Sequence, residues 1–88
     1  MKIVYTKHAL GKFDSLAILG WKFTKRDIKN ALSNPDLLWE DQNRGVKIVL
    51  KRIDQKHNLR IIFTLKDGII TIITFYPREK ERNEIPSN

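Results

Sequence analysis

The chain has 88 residues, a formal net charge of +7 and no cysteine. From this length we expect a single domain, and the lack of cysteine in these residues excludes disulfides, thiolate metal sites and cysteine nucleophiles among them. Two histidines are too few for a histidine cage, and the sequence has no glycine-rich phosphate loop or closely spaced acidic cluster, so it predicts no metal and no cofactor.

The positive charge is concentrated in two blocks, residues 1–35 and 42–66, which flank acidic residues at Asp36, Glu40 and Asp41. A small basic domain is a candidate for binding a polyanion such as RNA. The two blocks form one positive surface only if the fold brings them together, and the alternative is two separate solvated faces. No apolar run is long enough to cross a membrane, and the N-terminus lacks a secretory signal, so we expect a soluble cytoplasmic protein.

A short strand over residues 1–5 is expected to precede two helices. Thr6 is suited to cap the first helix, and Thr24 with Asp27 forms a variant of the capping box for the second. Asn34-Pro35 ends the second helix. The predicted buried stripe of the first helix comprises Leu10, Phe13, Leu16 and Ala17, and its opposite side carries His8, Lys12 and Ser15.

After Pro35 the apolar residues alternate, which predicts antiparallel strands over residues 37–40, 46–53, 59–66 and 69–76. Asp67-Gly68 is typical of a two-residue hairpin turn. The register it predicts pairs Lys66 with Ile69, Phe63 with Ile72, Ile61 with Thr74, and Leu59 with Tyr76. The fold class is therefore α+β: the first strand and both helices pack on one face of a β-meander, in a domain of residues 1–78 followed by a flexible charged tail, 79–88.

This register separates two groups of polar residues. It places Thr74 and Tyr76 on the face that packs against the helices, and Arg60 on the other face with Ile73 and Phe75. The second face mixes apolar and polar residues, so it suits a ligand or partner better than bare water. Only a bulge or the end of the sheet could bring Arg60 together with Thr74 and Tyr76.

Three short segments resemble an uncharacterised family of small bacterial and archaeal domains. They are Thr-Lys-His-Ala at residues 6–9, Gly-Trp-Lys-Phe-Thr-Lys-Arg-Asp-Ile with Ala-Leu and Asn-Pro within 20–35, and Ile-Thr-Ile-Ile-Thr-Phe-Tyr at 70–76. The resemblance extends over about residues 1–78. That family is grouped with the RelE-like toxins, small basic ribonucleases of toxin–antitoxin pairs that share a fold with barnase-type and colicin-type nucleases.

The resemblance implies a RelE-like fold and metal-independent cleavage of RNA, including ribosome-associated mRNA. It also implies an antitoxin of complementary charge as a partner. Lys12 stands where this family often has arginine, which weakens any bidentate phosphate contact there. The alternative is a non-catalytic module of the same fold that binds RNA or a protein, and the oligomeric state stays open.

Metal-free RNA cleavage needs a base for the ribose 2′-hydroxyl, cations for the phosphate and an acid for the departing oxygen. His8, in the first turn of a helix, is the candidate general base or acid, because this position favours neutral imidazole and attracts phosphate. Lys12, one turn later on the same side, is the candidate phosphate contact. A surface histidine beside a helix cap is the alternative interpretation of His8.

The remaining candidates lie in the last two predicted strands and just after them. Arg60 is the candidate catalytic cation, and Tyr76 is a candidate to donate a proton or stack on a base. Thr74, Arg78 and Lys80 are candidate RNA contacts. Each has a structural alternative: a cross-strand partner for Arg60, a plain strand residue for Thr74, a core residue for Tyr76, and solvated charges for Arg78 and Lys80.

Three further residues could serve RNA binding but have plainer interpretations. Trp21 and Trp39 are possible base-stacking platforms. Their positions, between the helices and in an edge strand, favour packing or anchoring an interface instead. His57 lies in a turn and is expected to be exposed to solvent.

Overall fold

A computed structural model describes residues 2–80, which form two helices and five strands. The helices are α1 (Lys7–Ile18) and α2 (Lys25–Ser33). The strands are β1 (Lys2–Tyr5), β2 (Leu37–Asp41), β3 (Val46–Arg52), β4 (His57–Lys66) and β5 (Ile69–Glu79). Within this part of the chain, neither helix has the length and apolar character needed to span a membrane.

The five strands form one mixed sheet in the order β1-β5-β4-β3-β2. Strands β2 to β5 form the predicted antiparallel meander, and the α+β class with helices packed on the sheet is confirmed. The prediction that the first strand packs with the helices on one face of the meander is wrong, because β1 is a strand of the sheet itself. It lies parallel to β5, because the helices carry the chain to the far edge of the sheet and the meander returns it beside its start.

Both helix starts follow their sequence signals. The Thr6 side chain accepts a hydrogen bond from the Ala9 backbone N–H at 3.1 Å. In the capping box of α2, the Thr24 N–H donates to Asp27 Oδ2 at 2.8 Å and the Asp27 N–H donates to Thr24 Oγ1 at 3.2 Å. These bonds satisfy backbone donors that the first turn of a helix leaves free.

The core lies between the helices and one face of the sheet, called here the inner face; the opposite face is the outer face. It contains Ala9, Leu16, Ile28, Ala31, Val49, Leu59, Ile61, Phe63, Ile72 and Phe75. One predicted core residue is wrong, since Leu10 is 46% exposed and Ala9 is fully buried in its place. Thr6 also donates to the Ile73 carbonyl at 3.0 Å, which fixes the rotation of α1 so that the small Ala9 meets the sheet.

A β-bulge in β5 corrects the predicted register. The pairs Lys66–Ile69 and Phe63–Ile72 are present, but Ile62 then pairs with Thr74. Ile73 is therefore an extra residue, and every later position is shifted by one: the structure has Ile61 opposite Phe75, Arg60 opposite Tyr76, and Leu59 opposite Pro77. The shift puts Phe75 in the inner core, and Thr74 and Tyr76 on the outer face beside Arg60, where the predicted register had placed them on opposite faces.

Strand β5 also continues past its predicted end at Tyr76, through Pro77 to Glu79. Proline is tolerated there because β1 pairs only with residues 69–72, so the rest of β5 is an edge strand among the described residues. The first two residues of the predicted tail, 79–88, belong to the folded part of the chain. Glu79 is the last residue of β5, and the Lys80 N–H donates to the Lys56 carbonyl at 2.8 Å. The remainder of that tail, 81–88, lies outside the described residues.

Candidate active site

Helix α1 lies along the part of β5 that β1 leaves uncovered. Phe13 packs against the inner-face residue Phe75, with ring centroids 4.7 Å apart. On the other side of the same helix, His8 and Lys12 reach residues of the outer face. His8 and Lys12 therefore share one side of α1, as the sequence predicts, and this side lies at the free edge of the sheet.

His8 meets Thr74 at this edge. The distance from His8 Nε2 to Thr74 Oγ1 is 3.2 Å, and the imidazole is exposed. The second ring nitrogen, Nδ1, has no hydrogen-bond partner among residues 2–80. If Nε2 carries the proton and donates it to Thr74, Nδ1 presents its lone pair to solvent, as a general base must.

Lys12 lies one turn further along α1 and meets Tyr76, two residues after Thr74. Its Nζ atom is 5.9 Å from the centroid of the Tyr76 ring, within the range of a cation–π contact. No hydrogen bond or ion pair joins the Lys12 ammonium or the Tyr76 hydroxyl to any residue within 2–80. Both groups are therefore free to contact a ligand on the outer face.

Arg60 is opposite Tyr76 on the neighbouring strand. Its guanidinium carbon lies 5.4 Å from the centroid of the Trp39 ring. Its Nε atom is buried, and no described residue accepts a hydrogen bond from it or forms an ion pair with the guanidinium. The N–H donors of a half-buried guanidinium without a protein acceptor are available to an anion. Their planar arrangement suits bidentate contacts to a phosphate.

The other two candidate RNA contacts lie further along β5. Arg78 is opposite Asn58 on the outer face, roughly 7 Å along the strand from Tyr76, and it already interacts with other parts of the chain. Lys80 follows the last strand residue, at the end of the sheet. The structure thus brings together His8, Lys12, Thr74 and Tyr76. Arg60 is opposite Tyr76 on the neighbouring strand, with its guanidinium over Trp39; Arg78 is adjacent, and Lys80 lies further away.

The acidic residues between the two basic blocks are paired locally and do not neutralise this cluster. Glu40 accepts from Lys47 at 3.1 Å, and Asp41 accepts from Arg44 at 2.9 Å. The hydrogen bond from Arg44 lowers the pKa of the Asp41 carboxyl. Within residues 2–80, no three histidine, aspartate or glutamate side chains come together in a way that could hold a metal ion.

The second histidine, His57, differs from its prediction in its exposure to solvent. It is half-buried, not solvent-exposed. Its ring meets the Trp21 ring edge-on with centroids 4.9 Å apart, and its Nδ1 lies 3.1 Å from Asp54 Oδ1. His57 is half-buried because it begins a strand, β4, under the segment that joins the helices; it therefore supports packing at that end.

A cleft of about 300 Å³ opens elsewhere, between the start of α2 and the ends of β3 and β4. Its lining consists of Lys22, Phe23, Asp27, Asn30, Lys51, Arg52, Ile53 and Leu59. None of the candidate catalytic residues lines it. Shape alone therefore does not locate the site, and the polar cluster on the outer face is the stronger candidate on chemical grounds.

Comparison with known proteins gives no assignment: the chain matches no family model, no curated protein and no solved structure.

Proposed function

We propose that this protein is a RelE-like, metal-independent endoribonuclease of toxin–antitoxin type, and that His8, Lys12, Arg60, Thr74 and Tyr76 form its active site. The observation that carries the proposal is the bulge at Ile73. It brings the phenol of Tyr76 onto the outer face, at the edge where the imidazole of His8 and the ammonium of Lys12 lie and opposite the strand position from which Arg60 supplies a guanidinium. These are the groups that acid–base cleavage of a phosphodiester requires.

His8 acts as the general base. In this mechanism Nε2 carries the ring proton and donates it to Thr74 Oγ1, 3.2 Å away, while Nδ1 accepts the proton of the ribose 2′-hydroxyl. The 2′-oxygen then attacks the adjacent phosphorus. Thr74 is a positioning residue, because it orients the imidazole and touches neither the phosphorus nor the departing oxygen.

Arg60 and Lys12 stabilise the negative charge that the phosphate gains during attack. They lie on opposite sides of Tyr76: Arg60 is its cross-strand partner, and Lys12 approaches its ring from α1. The Tyr76 hydroxyl gives its proton to the departing 5′-oxygen. The products are a 2′,3′-cyclic phosphate and a 5′-hydroxyl, and His8 and Tyr76 return to their starting states by exchanging protons with water.

The direct test uses purified protein and end-labelled single-stranded RNA in the presence of a chelator. We expect cleavage products that end in 2′,3′-cyclic phosphate, and no cleavage at a position where the substrate carries 2′-deoxyribose. His8→Ala purified in parallel controls for contaminating ribonuclease. Equal cleavage by His8→Ala, or no cleavage of either free or ribosome-bound mRNA, would refute the proposal; salt-sensitive binding without cleavage would identify a non-catalytic RNA-binding module.

A toxin also needs an inhibitor, and helix α1 offers a surface for one. Leu10 and Ile18, two turns apart on this helix, are 46% and 85% exposed. Together with the net charge of +7, they suit an acidic antitoxin with apolar anchor residues. Growth arrest on expression, relieved by a neighbouring gene product that binds the wild type but not Ile18→Glu, is the expected result.

A further inference from the structure

The outer face extends from the proposed active site to Trp39 at the other side of the sheet. Trp39 is opposite Ile48, Ile48 is opposite Ile62, and Ile62 is opposite Thr74. These residues form one row across four strands. Neighbouring strands are about 4.8 Å apart, so the backbone of Trp39 lies about 14 Å from that of Thr74.

The two isoleucines in the middle of this row are buried although no helix packs on the outer face. Ile48 and Ile62 are only 1% and 9% exposed, while the helices occupy the inner face. Longer side chains of the outer face must therefore lie over them. Trp39, at the end of the row, is 38% exposed, so solvent reaches a substantial part of its indole ring.

Arg60 joins Trp39 to the proposed active site. Its guanidinium lies over the indole ring at 5.4 Å, and its backbone is opposite Tyr76. The Arg60 side chain therefore runs from the strand position beside Tyr76 to one side of the indole ring, where its cation is available to a phosphate of a bound RNA strand. Proteins bind single-stranded nucleic acids by combining aromatic rings that stack on bases with cations that contact the backbone.

From this arrangement we infer that Trp39 is a base-stacking platform and that the substrate is unpaired, single-stranded RNA. The inference rests on the proposed nuclease function for the location of the cleaved bond. The distance of about 14 Å from Thr74 assigns to Trp39 a base that flanks the reacting nucleotide. A duplex cannot bind in this way, because its bases are stacked on one another and are not free to cover the indole.

Fluorescence gives a test that does not depend on cleavage. The chain has two tryptophans, so Trp21→Phe leaves Trp39 as the only one. We expect single-stranded 2′-O-methyl RNA, which has no free 2′-hydroxyl to attack, to quench this emission in a saturable way. The matched control is Trp39→Phe, in which the remaining Trp21, packed against Phe23 and His57, should respond little; the same RNA as a duplex should not quench Trp39.

Binding measurements distinguish a tryptophan that stacks on an RNA base from one that only packs on the outer face. Trp39→Ala should bind the 2′-O-methyl RNA roughly 5- to 150-fold more weakly, the range expected for losing one stacked base, and Trp39→Phe should retain most of the affinity. For cleavage of unmodified RNA, Trp39→Ala should raise KM far more than it lowers kcat. Thermal unfolding of each variant shows whether the substitution has disturbed the fold.

The possible failures are distinguishable. Cleavage of RNA with no quenching of Trp39, or with equal affinity of Trp39→Ala and wild type, overturns the inference and leaves the nuclease proposal standing. Saturable quenching without cleavage supports the platform and overturns the nuclease proposal. Equal quenching by single-stranded and duplex RNA overturns the assignment of an unpaired substrate.

Discussion

Arg60 and Tyr76 face each other across neighbouring strands because β5 contains one residue, Ile73, that has no counterpart in β4. Side chains on opposite positions of an antiparallel pair share a face and come close together. The bulge therefore puts Tyr76 and Arg60 at opposite positions on the same face of the sheet, on which the proposed site depends. Bulges are often found next to active sites, where they redirect side chains in this way.

Replacing the proposed base should abolish activity without unfolding the protein. We expect His8→Ala to lower kcat about 10²- to 10⁴-fold, the usual contribution of general acid–base catalysis. The thermal unfolding midpoint should change little because the imidazole is exposed. Lys7→Ala, an adjacent exposed position on α1, is the matched control and should retain activity; an equal loss in both variants would point to a general effect of altering α1.

Thr74 should affect catalysis only through His8. Thr74→Val removes the hydroxyl at nearly constant volume, and we expect kcat to fall about 2- to 12-fold, as for the loss of one hydrogen bond of about 0.5–1.5 kcal/mol. The KM should stay constant, and Thr74→Ser should restore kcat. A Thr74→Val variant with normal kcat would show that the 3.2 Å contact does not orient the imidazole.

Lys12 and Arg60 should contribute to the salt dependence of RNA binding. Each phosphate contact to a single strand contributes about 0.7 to the slope of log K against log salt concentration. Lys12→Gln and Arg60→Gln should each reduce that slope by about this amount, measured with uncleavable 2′-O-methyl RNA. Lys47→Gln is the comparison, because Lys47 is paired with Glu40 and lies on the inner face; a similar reduction there would indicate diffuse rather than local attraction.

Thr6 links the start of α1 to the bulge, so its loss should affect both stability and activity. Thr6→Val removes the cap of α1 and the hydrogen bond to the Ile73 carbonyl, and we expect a cost of about 1–2 kcal/mol in the free energy of unfolding. Cleavage should fall as well, because His8 loses its position. Thr24→Ala, which removes the cap of α2, should destabilise the fold by about 1 kcal/mol but retain activity at temperatures where the protein stays folded.

Acid should weaken the turn between β3 and β4. The backbone hydrogen bond from Lys56, followed by bonds from His57, lowers the pKa of the Asp54 carboxyl from its ordinary value of 3.8. A lowered pKa in the folded state means that ionised Asp54 stabilises the fold above pH about 4. That contribution disappears as the pH falls through the lowered pKa.

Unfolding midpoints measured from pH 7 down to pH 2 test this prediction. Asp54→Ala should be less stable than the wild type at pH 7, and the difference should shrink as the pH falls. Asp54→Asn retains an oxygen that can accept the N–H bonds of Lys56 and His57 but does not titrate, so its difference from Asp54→Ala should stay nearly constant. A constant gap between wild type and Asp54→Ala would contradict the assignment.

The order of the helices and strands, the two helix starts and the hairpin turn could be predicted from the sequence. Thr6 and Thr24 mark the helix starts, and Asp67-Gly68 marks the hairpin, because caps and turns depend on hydrogen bonds and backbone angles within a few residues. The presence of His8 and Lys12 on one side of α1 follows equally from helical spacing. These features are local, so they can be predicted without knowing the rest of the fold.

Which residues share the proposed site depends on long-range packing and could not be predicted from local pattern. In β5, both possible alternations contain apolar residues, so local pattern could not choose a face for Phe75. Its burial against Phe13 and Phe23 is favourable, whereas the hydroxyls of Thr74 and Tyr76 would be costly to bury without partners. The extra residue at Ile73 satisfies both requirements, and it does so through contacts with a helix more than sixty positions away in the chain.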